Sequence, residues 1–162
     1  MKVAPERAPA VKARPEQEFF CFTLADLRLG VPSGNVREVI RVNIVTPLPR
    51  TPAYLMGVSG HRGEVLPIID LLRFFGKGES VIGPRTRVFV ATSGAFVAGV
   101  VTDSVIGLRK LFVDEIVPPP LGGDVAAEHM LGVVNHSAGG EVLNLINFTR
   151  VLESARQRAV VR

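Results

Sequence analysis

Tryptophan is absent from this 162-residue chain, and tyrosine and cysteine each occur once. A single thiol, Cys21, excludes an intrachain disulfide and a cysteine-based zinc site. It lies in the apolar run FFCFTL (19–24), the surroundings of a buried structural thiol rather than a nucleophile. The three histidines, His61, His129 and His136, show no HExxH-type spacing, so no metal site is expected. No run of eighteen apolar residues occurs, which argues against a spanning helix. The opening MKVAPERAPAVKARP has no apolar h-region and does not read as a secretory signal. The expected compartment is the cytoplasm.

Catalytic motifs are missing as well. There is no GxSxG elbow and no GxGxxG after a strand. The Gly-Lys-Gly of FGKGES (75–80) fails the phosphate-loop pattern, because Leu71 stands where the first glycine belongs and Gly78 follows Lys77. It reads as a turn. No constellation of nucleophile, base and oxyanion donors emerges, so no enzyme and no cofactor are expected.

What the chain does have is positive charge, with a net +4 and a pI near 9.8. Residues 1–15 carry four Lys/Arg against one Glu, and residues 150–162 carry four Arg against one Glu. Each end is therefore at +3, which leaves the body between them at −2. Basic tails are expected over 1–16 and 154–162, the first of them flexible. A near-neutral body without a stacking platform argues against nucleic acid as the partner.

The chain also repeats itself. GVSGHR (57–62) lies over GVVNHS (132–137), matching Gly57 to Gly132, Val58 to Val133 and His61 to His136. After two extra residues, GEVLPIIDLLRFF (63–75) lies over GEVLNLINFTRVL (140–152). A weaker echo sets 27–36 over 96–105, sharing glycine and two valines. Two copies are too few for a solenoid, so halves near 20–80 and 86–152 are expected to form two related units packed together. Short Val/Ile/Phe/Leu runs bounded by turn residues predict strands at EFFCFTL, EVLPIID, RVFVAT, AFVAGVVTDSV and GEVLNLIN, with turns at 93–95 and 137–141. Strands of this length favour small closed barrels. NVREVIR (35–41) reads equally as a short helix or a strand exit. Apolar residues at 148, 151, 152 and 155 predict a C-terminal helix that frays into the tail.

Individual residues divide into structural and contact candidates. Asp70 and its repeat mate Asn147 suit a helix cap, with Gly76 as the helix end. Asp103 sits at a strand end and reads as structural. Arg62 has Ser137 as its mate, so the repeated fold does not require arginine there. It sits next to Gly63 and is expected to be exposed, either as a solvated side chain or as a guanidinium contact. Glu38, between apolar Val36 and Ile40, completes a mixed surface suited to docking.

The order of these motifs resembles the CheW family of chemotaxis coupling proteins, from about residue 17 to 153. The ordered set Val36, Glu38, Val39, Pro49, Pro52, Gly57, Val58, Arg62, Gly63, Val65, Pro67, Ile69, Asp70 and Leu71 carries the likeness. The resemblance implies an all-β domain of two SH3-like five-stranded β-barrels around a shared hydrophobic core, with a short C-terminal helix. It implies a non-enzymatic adaptor between the cytoplasmic tip of methyl-accepting chemoreceptors and the regulatory domain of a CheA-type histidine kinase, within receptor clusters. Other CheW-like proteins in arrays are further implied partners. Val36, Glu38 and Val39 would meet the kinase. Arg62, Val105 and Leu108 would meet the receptor. Gly57, Gly63, Pro67, Asp70 and Asp103 would hold the fold. The chain departs from the family at Gly60-His61, where Asn-Leu is usual, and at Val117 and Gly122, where some members carry an arginine and an aromatic. A histidine beside the contact arginine implies pH-sensitive binding. The second departure implies the alternative of a divergent coupler, receptor-only or competing, in a specialised pathway such as gliding motility or development.

Overall fold

The computed structural model describes residues 14–42, 44–123, 125–135 and 141–160. His136, Ser137 and nearly all of the predicted 137–141 turn lie outside them, as does most of the N-terminal tail. Ten strands and two helices follow in the order β1 (Glu16–Leu24), β2 (Leu27–Pro32), β3 (Val36–Ile40), β4 (Leu55–His61), β5 (Glu64–Ile69), α1 (Leu71–Phe74), β6 (Arg87–Ser93), β7 (Phe96–Thr102), β8 (Ser104–Phe112), β9 (Met130–Asn135), β10 (Val142–Ile146) and α2 (Phe148–Val160). They form two five-stranded sheets, ordered β8-β1-β2-β10-β9 and β3-β6-β7-β5-β4. The all-β, two-sheet expectation holds.

The repeat is present in three dimensions, but the halves are not the sheets. β1 and β2 from the first half join β8, β9 and β10 from the second, while β6 and β7 join β3, β4 and β5. Each half lends a strand pair to the other's sheet. The weak echo marks this exchange: Gly30 of β2 lies opposite Leu145, and Gly99 of β7 lies opposite Ile68, the repeat mate of Leu145.

The strands read as unbroken apolar runs because both of their faces are buried. In β1, Phe20, Phe22 and Leu24 face the cluster shared by the two sheets, while Phe19 and Cys21 face the interior of their own sheet. In β6, Phe89 and Ala91 face the shared cluster, and Val88 and Val90 face the other interior. Phe89 stacks against Phe20 and Phe22 with centroids 5.1 and 5.0 Å apart, and α2 adds Phe148 at 6.3 Å.

Each sheet rolls up, yet neither closes through a continuous ladder, which corrects the closed-barrel expectation. A two-bond bridge does the closing. Thr46 and Val58 exchange backbone hydrogen bonds of 2.8 and 2.9 Å, and Val117 and Val133 exchange two of 2.9 Å. The bridging segments press on the two matched glycines. A Cβ on Gly57 would stand 2.2 Å from the Thr46 carbonyl oxygen, and one on Gly132 would stand 2.5 Å from that of Val117. Their φ values of +147° and +152° are also glycine territory.

Asp70 is the helix cap the sequence predicts, and more. Its Oδ1 accepts from Leu72 N at 3.0 Å and from Ser80 Oγ at 2.7 Å, and its Oδ2 accepts from Ser80 N at 2.7 Å. Its mate Asn147 caps α2, with Arg150 N donating to Oδ1 at 3.2 Å. Asp103 holds the β1–β2 turn by accepting from Ala25 N at 2.6 Å, and it splits the predicted run 95–105 into β7 and β8. Residues 35–41 resolve as strand β3, entered by a 3-10 turn at Ser33–Asn35. Pro67, which has no N–H to donate, sits in β5 just before its pairing with β7 begins at Ile68.

The C-terminal boundary expected at 153 falls inside α2. Ala155 is buried, and its carbonyl accepts from Tyr54 Oη at 2.5 Å. On the repeat-equivalent side, His129 Nε2 meets Ser154 Oγ at 3.1 Å. The Tyr54 and His129 rings flank Phe74 at 5.7 and 5.0 Å, so His129 belongs to the framework.

Two outcomes are expected. Gly57→Ala will cost about 3 kcal/mol or more in urea unfolding, from backbone strain plus a clash that cannot relax cheaply. Burial pushes the Cys21 thiol above its usual pKa, against a weaker opposing pull from Arg109. Cys21 will therefore resist a thiol reagent in the native state and react on unfolding.

Candidate functional site

β4 and β5 are joined by only two residues, Arg62 and Gly63, with φ of +51° and +76°. Positive φ at both central positions marks a type I′ hairpin turn, whose twist matches its strands. Glycine suits the second position. Arginine at the first costs about 1 kcal/mol relative to a residue at ease there. The turn holds Arg62 out, with its side chain 75% exposed.

The side chain points to β3. Arg62 Nη2 lies 3.0 Å from Glu38 Oε2, and His61 Nε2 lies 2.5 Å from Glu38 Oε1. One carboxylate thus bridges two consecutive residues of the hairpin. Glu38 itself is largely covered, at 21% side-chain exposure. The resemblance assigns Glu38 and Arg62 to different partners; in the structure the two side chains form one ion-paired cluster. The Glu38–His61 bond is the part that sequence reading missed. The only signal for it was a histidine where the family has an apolar residue.

An open groove of about 420 Å³ begins next to this cluster, lined by Arg41, Ile44, Thr46, Ser59, Gly60 and Val65 among others. Ile44 and Val65 are large apolar side chains left exposed on it, and Arg41 is an exposed cation at its side. Apolar surface with arginine at its margin is the composition of a docking site.

The other predicted contacts lie elsewhere. Val36 and Val105 are repeat-equivalent residues on the outer strands β3 and β8, and both are half-buried against the shared cluster. Val39 is exposed on β3, and Leu108 is 62% exposed on β8. Val105 and Leu108 therefore sit on the opposite sheet from the Glu38 cluster. Val117 is used in the roll-closing bridge, and Gly122 has a φ of +71° in the turn after Pro118–Pro120. Among the described residues no group of three or more His, Cys, Asp or Glu could hold a metal ion. No helix among them is long and apolar enough to cross a membrane.

Residues 18–156 match the profile of the CheW-like domain. The chain belongs to the CheW family. It is 65% identical over 160 residues to Protein FrzA of Myxococcus xanthus, covering 99% of this chain and 100% of that protein. It is 31% identical over 145 residues to chemotaxis protein CheW of Klebsiella aerogenes, covering 89% and 86% of the two chains. The scaffolding protein TtCheW of Thermoanaerobacter tengcongensis superposes with a TM-score of 0.72 at 24% identity, over 82% of this chain and 90% of that one. This is a CheW-like scaffold protein of chemotaxis-type signalling, and the two rolled sheets are that family's architecture.

Arg62 is costly to its own turn, so Arg62→Gly will raise stability in urea by about 0.5 kcal/mol. The relief at positive φ outweighs the loss of one exposed ion pair. A loss of more than about 1 kcal/mol would mean that the arginine is there to hold the fold.

Proposed function

We propose that this chain is a non-enzymatic cytoplasmic adaptor coupling methyl-accepting chemoreceptors to a CheA-type histidine kinase within receptor clusters. The observation that carries the reading is the Glu38–His61–Arg62 cluster beside the Ile44 and Val65 groove. The chain holds an exposed arginine in a strained turn and leaves two large apolar residues uncovered next to it, as a protein-binding face does. We assign this face, with Val36 and Val39 on β3, to the kinase regulatory domain. We move Arg62, which the resemblance gives to the receptor, to the kinase contact on the strength of its ion pair with Glu38. Val105 and Leu108 on the opposite sheet are assigned to the helical receptor tip. Separate faces allow one molecule to hold both partners together.

A second reading is a divergent coupler that engages receptors but not the kinase fully. It is favoured by the 117–122 segment. There Val117 is committed to the backbone bridge and Gly122 to a turn, so neither offers an arginine or aromatic contact.

Calorimetric titration against the regulatory domain of the organism's CheA-type kinase distinguishes the two. Glu38→Lys and Arg62→Ala will each weaken kinase binding about tenfold or more, and Leu108→Glu will leave it unchanged while abolishing receptor-tip binding. Wild-type binding to the receptor tip alone would establish the second reading. Kinase binding untouched by both Glu38→Lys and Arg62→Ala would remove this face from the contact.

A further inference from the structure

We infer that His61 is a proton-sensitive positioning residue for the partner-binding face, tuning its attraction for an acidic partner surface through Glu38. This rests on the assignment of the Glu38 face to the kinase.

The carboxylate of Glu38 can only accept, so the ring nitrogen 2.5 Å from it carries a proton in either state of the imidazole. Neutral His61 is therefore fixed as the Nε2–H tautomer, and a second proton enters at Nδ1. The hydrogen bond itself survives that step, but the charge of the cluster does not. With His61 neutral, Glu38 is balanced by Arg62 alone. With His61 protonated, one carboxylate is shared between two cations and the cluster gains one positive charge. Part of the guanidinium of Arg62, already exposed, then becomes available to another acceptor.

The surrounding charges set the sign. Glu64 lies across the hairpin from His61 in the β4–β5 register, while exposed Arg37 on β3 and Arg41 just after it point to the other side of the strand from Glu38. Arg62 against Glu38 and Glu64 leaves this cluster at −1, which is cancelled when His61 is charged. Protonation of His61 thus removes the net repulsion toward a partner presenting carboxylates, and Arg41 with the exposed apolar side chains of the adjoining groove suits the same partner. Binding of such a partner strengthens when His61 takes up its second proton. A single exposed charge is worth about fivefold in affinity at low salt.

The test is the affinity for the kinase regulatory domain at pH 6 and pH 8 in low salt, read as the ratio between this chain and its variants. The ratio cancels titration of the partner. Wild type is expected to bind about fivefold more tightly at pH 6 than His61→Gln does, with the difference gone at pH 8. Gln keeps a donor to Glu38 but cannot titrate. His61→Leu, which loses the donor, should bind more weakly than His61→Gln at both pH values. Placing His61→Leu in a Glu38→Gln background should add no further weakening. If wild type and His61→Gln change alike with pH, the inference is overturned while the kinase assignment stands. Failure of the wild type to bind at either pH overturns the assignment on which both rest.

Discussion

The seam of phenylalanines between the two sheets is the contact on which everything else depends. Phe20 and Phe22 come from the first half of the chain, Phe89 and Phe148 from the second, and they meet at 5.0 to 6.3 Å. Each half has already given a strand pair to the other's sheet, so neither sheet is complete until both halves are in place. The parallel pairing of β2 with β10 joins residues more than a hundred positions apart in sequence. Such pairings are paid for in loop-closure entropy before they return any contact, which makes this a cooperative and slow-folding topology. It is also why a body of this size can hold three clusters of buried side chains without dividing into separate domains.

The Glu38–His61–Arg62 cluster is laid over that frame with little demand on it. The hairpin bearing Arg62 ends in a two-residue turn, and its strands are fixed from behind by the Thr46 bridge and by the Asp70–Ser80 lock. The turn can therefore tolerate arginine at positive φ. Glu38 reaches it from the outer strand of the same sheet, so the cluster ties together two edges that no continuous ladder connects. A surface that contributes little to stability can be altered without loss of the fold, and this suits a scaffold that must fit particular partners.

Much of the architecture was legible in the chain. The matched Gly57 and Gly132, the matched caps Asp70 and Asn147, and the unbroken apolar runs each express a local requirement that a residue type can satisfy. The exchange of strand pairs was not legible. The repeat tells which segments are alike, but which copy a strand joins depends on contacts across the whole chain. The Glu38–His61–Arg62 cluster was hidden for the same reason: twenty-odd residues separate its members, and only the rolling of the sheet brings β3 against the β4–β5 turn. The extent of α2 was not legible, because exposed Arg156 resembles a tail residue while its neighbour Ala155 is buried.

The exchanged strands also set what one half could do alone. A single half with this strand order could not complete a sheet by itself, because two of its strands are spoken for elsewhere. Two identical halves could do so by swapping those pairs, which is how a domain-swapped homodimer is built. The present chain has the form of such a dimer with its two subunits joined end to start through the segment between α1 and β6. The two halves differ in sequence, so that Arg62 and Glu38 stand on one sheet and Leu108 on the other. A symmetric dimer would present the same face twice; the fused chain presents two different ones.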